Sequence, residues 1–204
     1  MLFRSVFFSS DNGAHQKFGG SNAPLRGWKA QTLEGGQRMP CILRWPRHIP
    51  AGTVRDDITV TMDMLPTLAK LAGAALPSDR AIDGADIWPV ISSAPGAVTP
   101  HEAFYYYQVE QLQAVRSGKW KLHLPLEHPK RDWCEEKGQE RLRLYDLDAD
   151  IGETKNVAEE EPEVVKHLLG LADRARALYG DDDREGSEQR PAAFVEKPTP
   201  RMLP

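Results

Sequence analysis

Residues 159–180 read EEEPEVVKHLLGLADRARALYG, and this run constrains the fold more than any other part of the chain. Val165, Leu168, Leu169, Ala172 and Leu178 recur at helical spacing and share a face. Pro162 suits a first helical turn, where its missing N–H goes unused, and the acidic residues before it complement the helix dipole. An amphipathic helix cannot bury its apolar stripe alone. The sequence before it offers a partner surface. EAFYYYQ (102–108) is aromatic and strand-like, LQAVRSGKWKLHL (112–124) reads as a hairpin turning at Ser117-Gly118, and RLRLYDL (141–147) reads as a further strand. Residues 100–180 are therefore expected to form a small antiparallel sheet covered by the C-terminal helix. Tyr105, Tyr106 and Tyr107 alternate along a strand and are expected to pack. Residues 181–204 form a polar, proline-containing tail, expected to be mobile.

The first part of the chain has a different character. Residues 5–8 and 39–45 are short strand-like runs, the second stopped by Pro46. Residues 61–72 carry Met62, Leu65, Leu68, Ala69 and Ala72 at helical spacing, Pro66 falls in the first turn, and Gly73 supplies a stop. SSAPGAVTP (92–100) has the composition of a linker. The predicted organisation is α/β: an α/β segment over 1–95, the sheet-plus-helix subdomain over 100–180, and the tail over 181–204.

Composition excludes several classes. Hydrophobic residues make up 40% of the 204 and charged residues 27%, which supports a packed core. A net charge of −4 gives no basic surface for nucleic acid. No apolar run approaches the ~20 residues that span a bilayer. The opening MLFRSVFFSS is broken by Arg4 and Ser5 and does not read as a signal peptide. The two cysteines, Cys41 and Cys134, form no C-x-x-C pair. The six histidines show no zinc spacing.

Chemistry concentrates in residues 9–36, SSDNGAHQKFGGSNAPLRGWKAQTLEGG. Asp11 and Asn12 directly follow a strand, where ligands gather in open α/β sheets. A carboxylate and an amide carbonyl are hard oxygen donors suited to calcium or magnesium, although DNG alone is also a common turn. The order of SDNG, GGSNAPLRGWK, EGGQRMP, RWP, MDMLPTLAKLAG and DRAIDGADIWPVI resembles the later half of the calcium-dependent sulfatases, the arylsulfatase-like branch of the alkaline-phosphatase superfamily. LQAVRSGKWKLHL and LYDLDADIGETKNVAEEEPEV resemble that family's C-terminal subdomain. The resemblance runs from about residue 6 to about residue 179.

The resemblance implies an alkaline-phosphatase-like sulfatase fold and hydrolysis of sulfate esters. Asp11 and Asn12 match the family's second pair of calcium ligands, and Lys29 matches a lysine that contacts the sulfate. An ammonium offers three donors and a compact charge to sulfate oxygens. His15 is a candidate substrate contact, with a solvated loop histidine as the alternative. Arg26 and Arg38 are expected to brace the loop through carboxylates such as Glu34. The family's nucleophile is a formylglycine made from the first residue of C/S-x-P-x-R, and neither cysteine nor any serine or threonine here stands in that motif. The family's first calcium pair is two adjacent aspartates, and its role is not transferred to Asp56-Asp57. The expectation is that the chain begins past the middle of a complete sulfatase, that it is inactive alone, and that a complementary N-terminal half is its partner. The implied substrate is a sulfated small molecule or sulfated carbohydrate. The implied location of the complete protein is periplasmic or secreted. A phosphomonoester or phosphonate hydrolase and a non-catalytic binding remnant are the alternatives.

Overall fold

The computed structural model describes residues 5–126, 140–182, 184–190 and 194–197. Cys134 and His128 lie outside the described residues. The strand order of the main sheet is β3-β4-β5-β6, from Phe104–Gln108 (β3), Gln111–Ser117 (β4), Trp120–His123 (β5) and Arg143–Asp146 (β6), all antiparallel. The β4–β5 hairpin pairs Ser117 with Trp120, so its two loop residues are Gly118 and Lys119, one position later than predicted. Gly118 has φ +55°, a conformation that glycine adopts without steric cost.

The helix Pro162–Tyr179 (α4) covers one face of this sheet. Leu168, Leu171, Ala172 and Ala175 pack against Leu112, Val115, Leu122, Leu124 and Leu144. Leu171 and Ala175 join the predicted Leu168 and Ala172 in the buried stripe, the predicted Val165 and Leu169 pack partly buried against it, and Leu178 is half-buried. The observed spacing of 168, 171, 172 and 175 follows the helical period more closely than the predicted set. Strand alternation sends the other side chains to the opposite face. In the observed register Tyr106, Ala114, His123 and Arg143 share that face, and so do Phe104, Arg116, Lys121 and Tyr145. This second face is buried as well, against the polar loop.

The N-terminal strands are Val6–Ser9 (β1) and Cys41–Arg44 (β2), paired antiparallel from Val6↔Arg44 to Ser9↔Cys41. Between them stands one short helix, Glu34–Gln37 (α1). A 3₁₀ turn at Thr61–Asp63 leads into Met64–Leu71 (α2), with Pro66 in its first turn. The predicted apolar positions of this helix do not face a core. Leu65 and Leu68 are 58% and 53% exposed, whereas Pro66 and Thr67 are buried. Phe8 and Ile42 on the strand pair are also more than half exposed.

Asp63 explains why α2 sits where it does. Its fully buried carboxylate accepts N–H bonds from Val60 and Ala85 and lies 2.8 Å from His101 Nε2. Thr67 Oγ accepts from Ile87, just ahead of Trp88–Ile91 (α3). Burial pushes the Asp63 carboxyl up, but His101 and the two N–H donors outweigh it and hold the group below its usual range. The beginning of the tail is folded back rather than loose. Ser187 and Glu188 donate N–H bonds to the Ala177 and Leu178 carbonyls, and Asp181 accepts from Leu112 N–H and Arg176.

Candidate active-site cleft

Residues 11–37 fold into a layered loop held by its own backbone. Asn22 staples it: its side-chain oxygen accepts the Ala14 N–H at 2.7 Å, and its amide donates to the Gly27 carbonyl at 2.9 Å. Gly13 donates its N–H to the Gly36 carbonyl, and Lys29 donates its N–H to the Ala14 carbonyl. Residues 13 and 14 therefore lie clamped between two strips of chain. The strips approach so closely that a side chain at Gly13 would collide with the Gly35 carbonyl, and one at Gly36 with the Gln31 carbonyl. Glycine is required there by space rather than by dihedral angle.

Beneath this loop lies a buried ionic network. The Glu34 carboxylate, 1% exposed, accepts from the Tyr106 hydroxyl at 2.7 Å, from Lys121 Nζ at 2.9 Å and from Arg116 Nη1 at 3.1 Å. Lys121, fully buried, also reaches Glu153 Oε1 at 3.1 Å and stands 4.1 Å from the centre of the Tyr106 ring. Glu153 Oε2 accepts the Glu34 N–H at 2.7 Å, and its Oε1 lies 2.8 Å from His123 Nε2. The Glu34 and Glu153 carboxylates thus face the Lys121 and Arg116 cations. Such pairing is what makes buried charge tolerable.

Burial pushes both carboxyls up, but the neighbouring cations and hydrogen bonds prevail. Lys121 and Arg116 hold Glu34 lowered, and His123 and Lys121 bring Glu153 to about 2. Burial drives the His123 imidazole down to about 4 despite its carboxylate neighbour, so it is neutral at pH 7. The unfolded chain takes up a proton at His123 below about pH 6.5, while the folded chain does so only near 4. This contribution is present in full above pH 6.5 and is lost as pH falls to 4. Glu153 has the same sign, between 4.5 and about 2. The unfolding free energy is therefore expected to fall between pH 7 and 4, by on the order of 2–3 kcal/mol from His123, and the urea midpoint with it. Equilibrium urea titrations should show that His123→Gln removes most of that slope.

Above the network a cleft of about 730 Å³ opens. Asp11, Asn12 and Lys29 all line it, together with Arg38, Asp56, Asp57, Gln108 and Arg116. Among the described residues, the side chains of Asp11, Asn12 and Lys29 have no hydrogen-bonding or ion-pairing partner. His15 does not line this cleft; its Nδ1 accepts the Lys17 N–H and its ring lies tilted against Phe18, with centroids 4.7 Å apart.

Of the predicted bracing, the choice of Glu34 as the partner carboxylate needs correction. Arg26 donates to the Glu153 carbonyl and Arg38 lies 3.9 Å from Asp56, while Glu34 is held by residues 72 or more positions away. The distance in sequence hid those partners. Asp57, by contrast, is engaged by Arg55 and the Thr99 N–H. Among the described residues, no group of three or more His, Cys, Asp or Glu is placed to hold a metal ion. No helix of the described residues is long and apolar enough to cross a membrane.

The strand–loop cleft and the helix-backed antiparallel sheet form an α/β architecture that superposes on solved sulfatases. The chain belongs to the family described as "N-sulphoglucosamine sulphohydrolase, C-terminal", which it matches over residues 28–175. It is 44% identical to mouse (Mus musculus) steryl-sulfatase over 128 residues, 57% of this chain and 20% of that protein. It is 46% identical to pig (Sus scrofa) N-acetylgalactosamine-6-sulfatase over 122 residues, 58% of this chain and 23% of that protein. Among solved structures it superposes on the PsFucS1 sulfatase from Pseudoalteromonas sp. with a TM-score of 0.72 at 25% identity, covering 85% of this chain and 36% of that one. The aligned part spans about a fifth of the length of these two curated relatives.

Proposed function

We propose that this chain forms the C-terminal part of a calcium-dependent sulfatase that hydrolyses sulfate esters of a small molecule or carbohydrate. The observation that carries this is that Asp11, Asn12 and Lys29, whose side chains have no partner among the described residues, line one cleft. A carboxylate and an amide oxygen left unengaged at a strand end fit one edge of a calcium shell. They are two donors of the six to eight that calcium takes, so other ligands complete the shell from outside these residues. When bound, the ion would polarise a sulfate oxygen. The Lys29 ammonium would donate to another sulfate oxygen and stabilise the charge that develops there.

The nucleophile of this reading is a formylglycine from a C/S-x-P-x-R motif, which this sequence does not contain. The complementary N-terminal portion of a sulfatase would supply it. Exposed apolar side chains on β1, β2 and α2 support such a partner, because large apolar surfaces left in water favour association. By the same resemblance, the complete protein would be periplasmic or secreted.

This chain by itself is expected to bind calcium weakly and to leave sulfate esters intact. A single carboxylate compensates little of a divalent charge, and binding without a covalent step does not lower the chemical barrier. Calorimetric calcium titration of the purified chain checks this, alongside incubation with a chromogenic aryl sulfate. Micromolar affinity, or turnover by the chain alone that Lys29→Ala removes, would contradict the proposed division of the site.

A further inference from the structure

We infer that Lys121 and Glu153 are positioning residues for the cleft: from the far sheet they set the placement of Lys29 and of the Asp11-Asn12 step. The inference rests on the proposed sulfatase reading. Its path is short and continuous. Lys121 on β5 holds both Glu34 and Glu153, and Glu153 holds the Glu34 N–H. Glu34 opens α1, and the Gly36 carbonyl two residues on accepts the Gly13 N–H, next to Asn12. On the other side, the Ala14 carbonyl accepts the Lys29 N–H. The chain carrying the two oxygen donors is thus pinned between the staked helix and the lysine.

Stability alone does not account for this arrangement. Burying a lysine and two glutamates costs desolvation that their attraction barely offsets, and apolar replacements of equal volume are often as stable. What an apolar core would not supply is directional bonding to one loop register. Four separate groups, Tyr106, Arg116, Lys121 and Glu153, fix Glu34.

The test uses the double variant Lys121→Met/Glu153→Gln, which removes one charge of each sign and so leaves Glu34 paired with Arg116. In the 204-residue chain, amide exchange at Gly13, Lys29 and Gly35 should accelerate about tenfold or more, while amides of β4 and β5 keep their protection. In the protein joined to the preceding catalytic portion, kcat for an aryl sulfate should fall with little change in Tm. Added to Lys29→Ala, the double variant should cost less than the product of the two separate losses, because part of its effect runs through Lys29 and the rest through the Asp11-Asn12 step; a merely structural effect would be fully additive. Unchanged exchange in the loop, or additive losses, would overturn the inference. If the joined wild-type protein hydrolyses no sulfate ester, the functional reading falls, and the exchange measurement still decides whether the network holds the loop.

Discussion

Replacing Lys121 alone by methionine is expected to cost about 3–5 kcal/mol of unfolding free energy, the largest stability effect of any single substitution proposed for this protein. The side chains are close in length, so little volume is lost. The cost comes from what remains. Glu34 and Glu153 would both stay buried, Glu34 keeping its contact with Arg116 and Glu153 left beside a neutral His123. Their pKa values are held low partly by Lys121, so removing it should raise both. At acidic pH the carboxyls can take up protons, and the penalty should shrink. Urea unfolding of wild type and variant at pH 7 and pH 5 measures this. Lys119→Met is the natural control, because its ion pair with Asp146 lies at the surface and should matter far less. An equal effect from the two substitutions would show that the buried network does not behave as charge.

The second large effect is catalytic. In the protein joined to the preceding portion of a sulfatase, Lys29→Ala should lower kcat for sulfate ester hydrolysis about 10²–10³-fold, the range seen when one preorganised donor to a developing anion is removed. The fold should be indifferent. The Lys29 side chain is exposed and has no protein partner among the described residues, and its structural bond is made by backbone N–H, which alanine keeps. Steady-state kinetics together with thermal melts separate the two. A loss of activity matched by a loss of Tm would mean that Lys29 supports the loop instead of the substrate.

These two lysines differ in how readily the sequence discloses them. Lys29 lies in a run of polar residues with a recognisable order, so a reader finds it. Lys121 lies in KWKLHL, where alternation with Leu122 and Leu124 suggests a strand with one apolar and one solvated face. The strand is there, and its apolar face meets α4 as expected. The other face is not solvated. Lys121 and His123 are buried under the loop and are satisfied by Glu34 and Glu153. Local pattern cannot report such partners, because they are 87 and 30 positions away.

Helix α4 was legible for the opposite reason. Its signal lies within one continuous run, with Pro162 at its start. Helix α2 was legible in type but not in orientation. Leu65 and Leu68 carry the expected period, yet in this chain they face outward while Thr67 is buried against the Ala85–Ile87 segment. Periodicity says that an apolar face exists, not which surface covers it.

Calcium-dependent sulfate release by this chain joined to an N-terminal portion of a sulfatase tests the shared Asp11, Asn12 and Lys29 site most directly. Chromogenic aryl sulfate and aryl phosphate should be compared side by side, with and without a calcium chelator. Hydrolysis of the sulfate ester is expected, abolished by the chelator and strongly reduced by each of Asp11→Ala, Asn12→Ala and Lys29→Ala. Preferential hydrolysis of the phosphate ester, or sulfate release indifferent to both calcium and these three residues, would contradict the sulfatase reading.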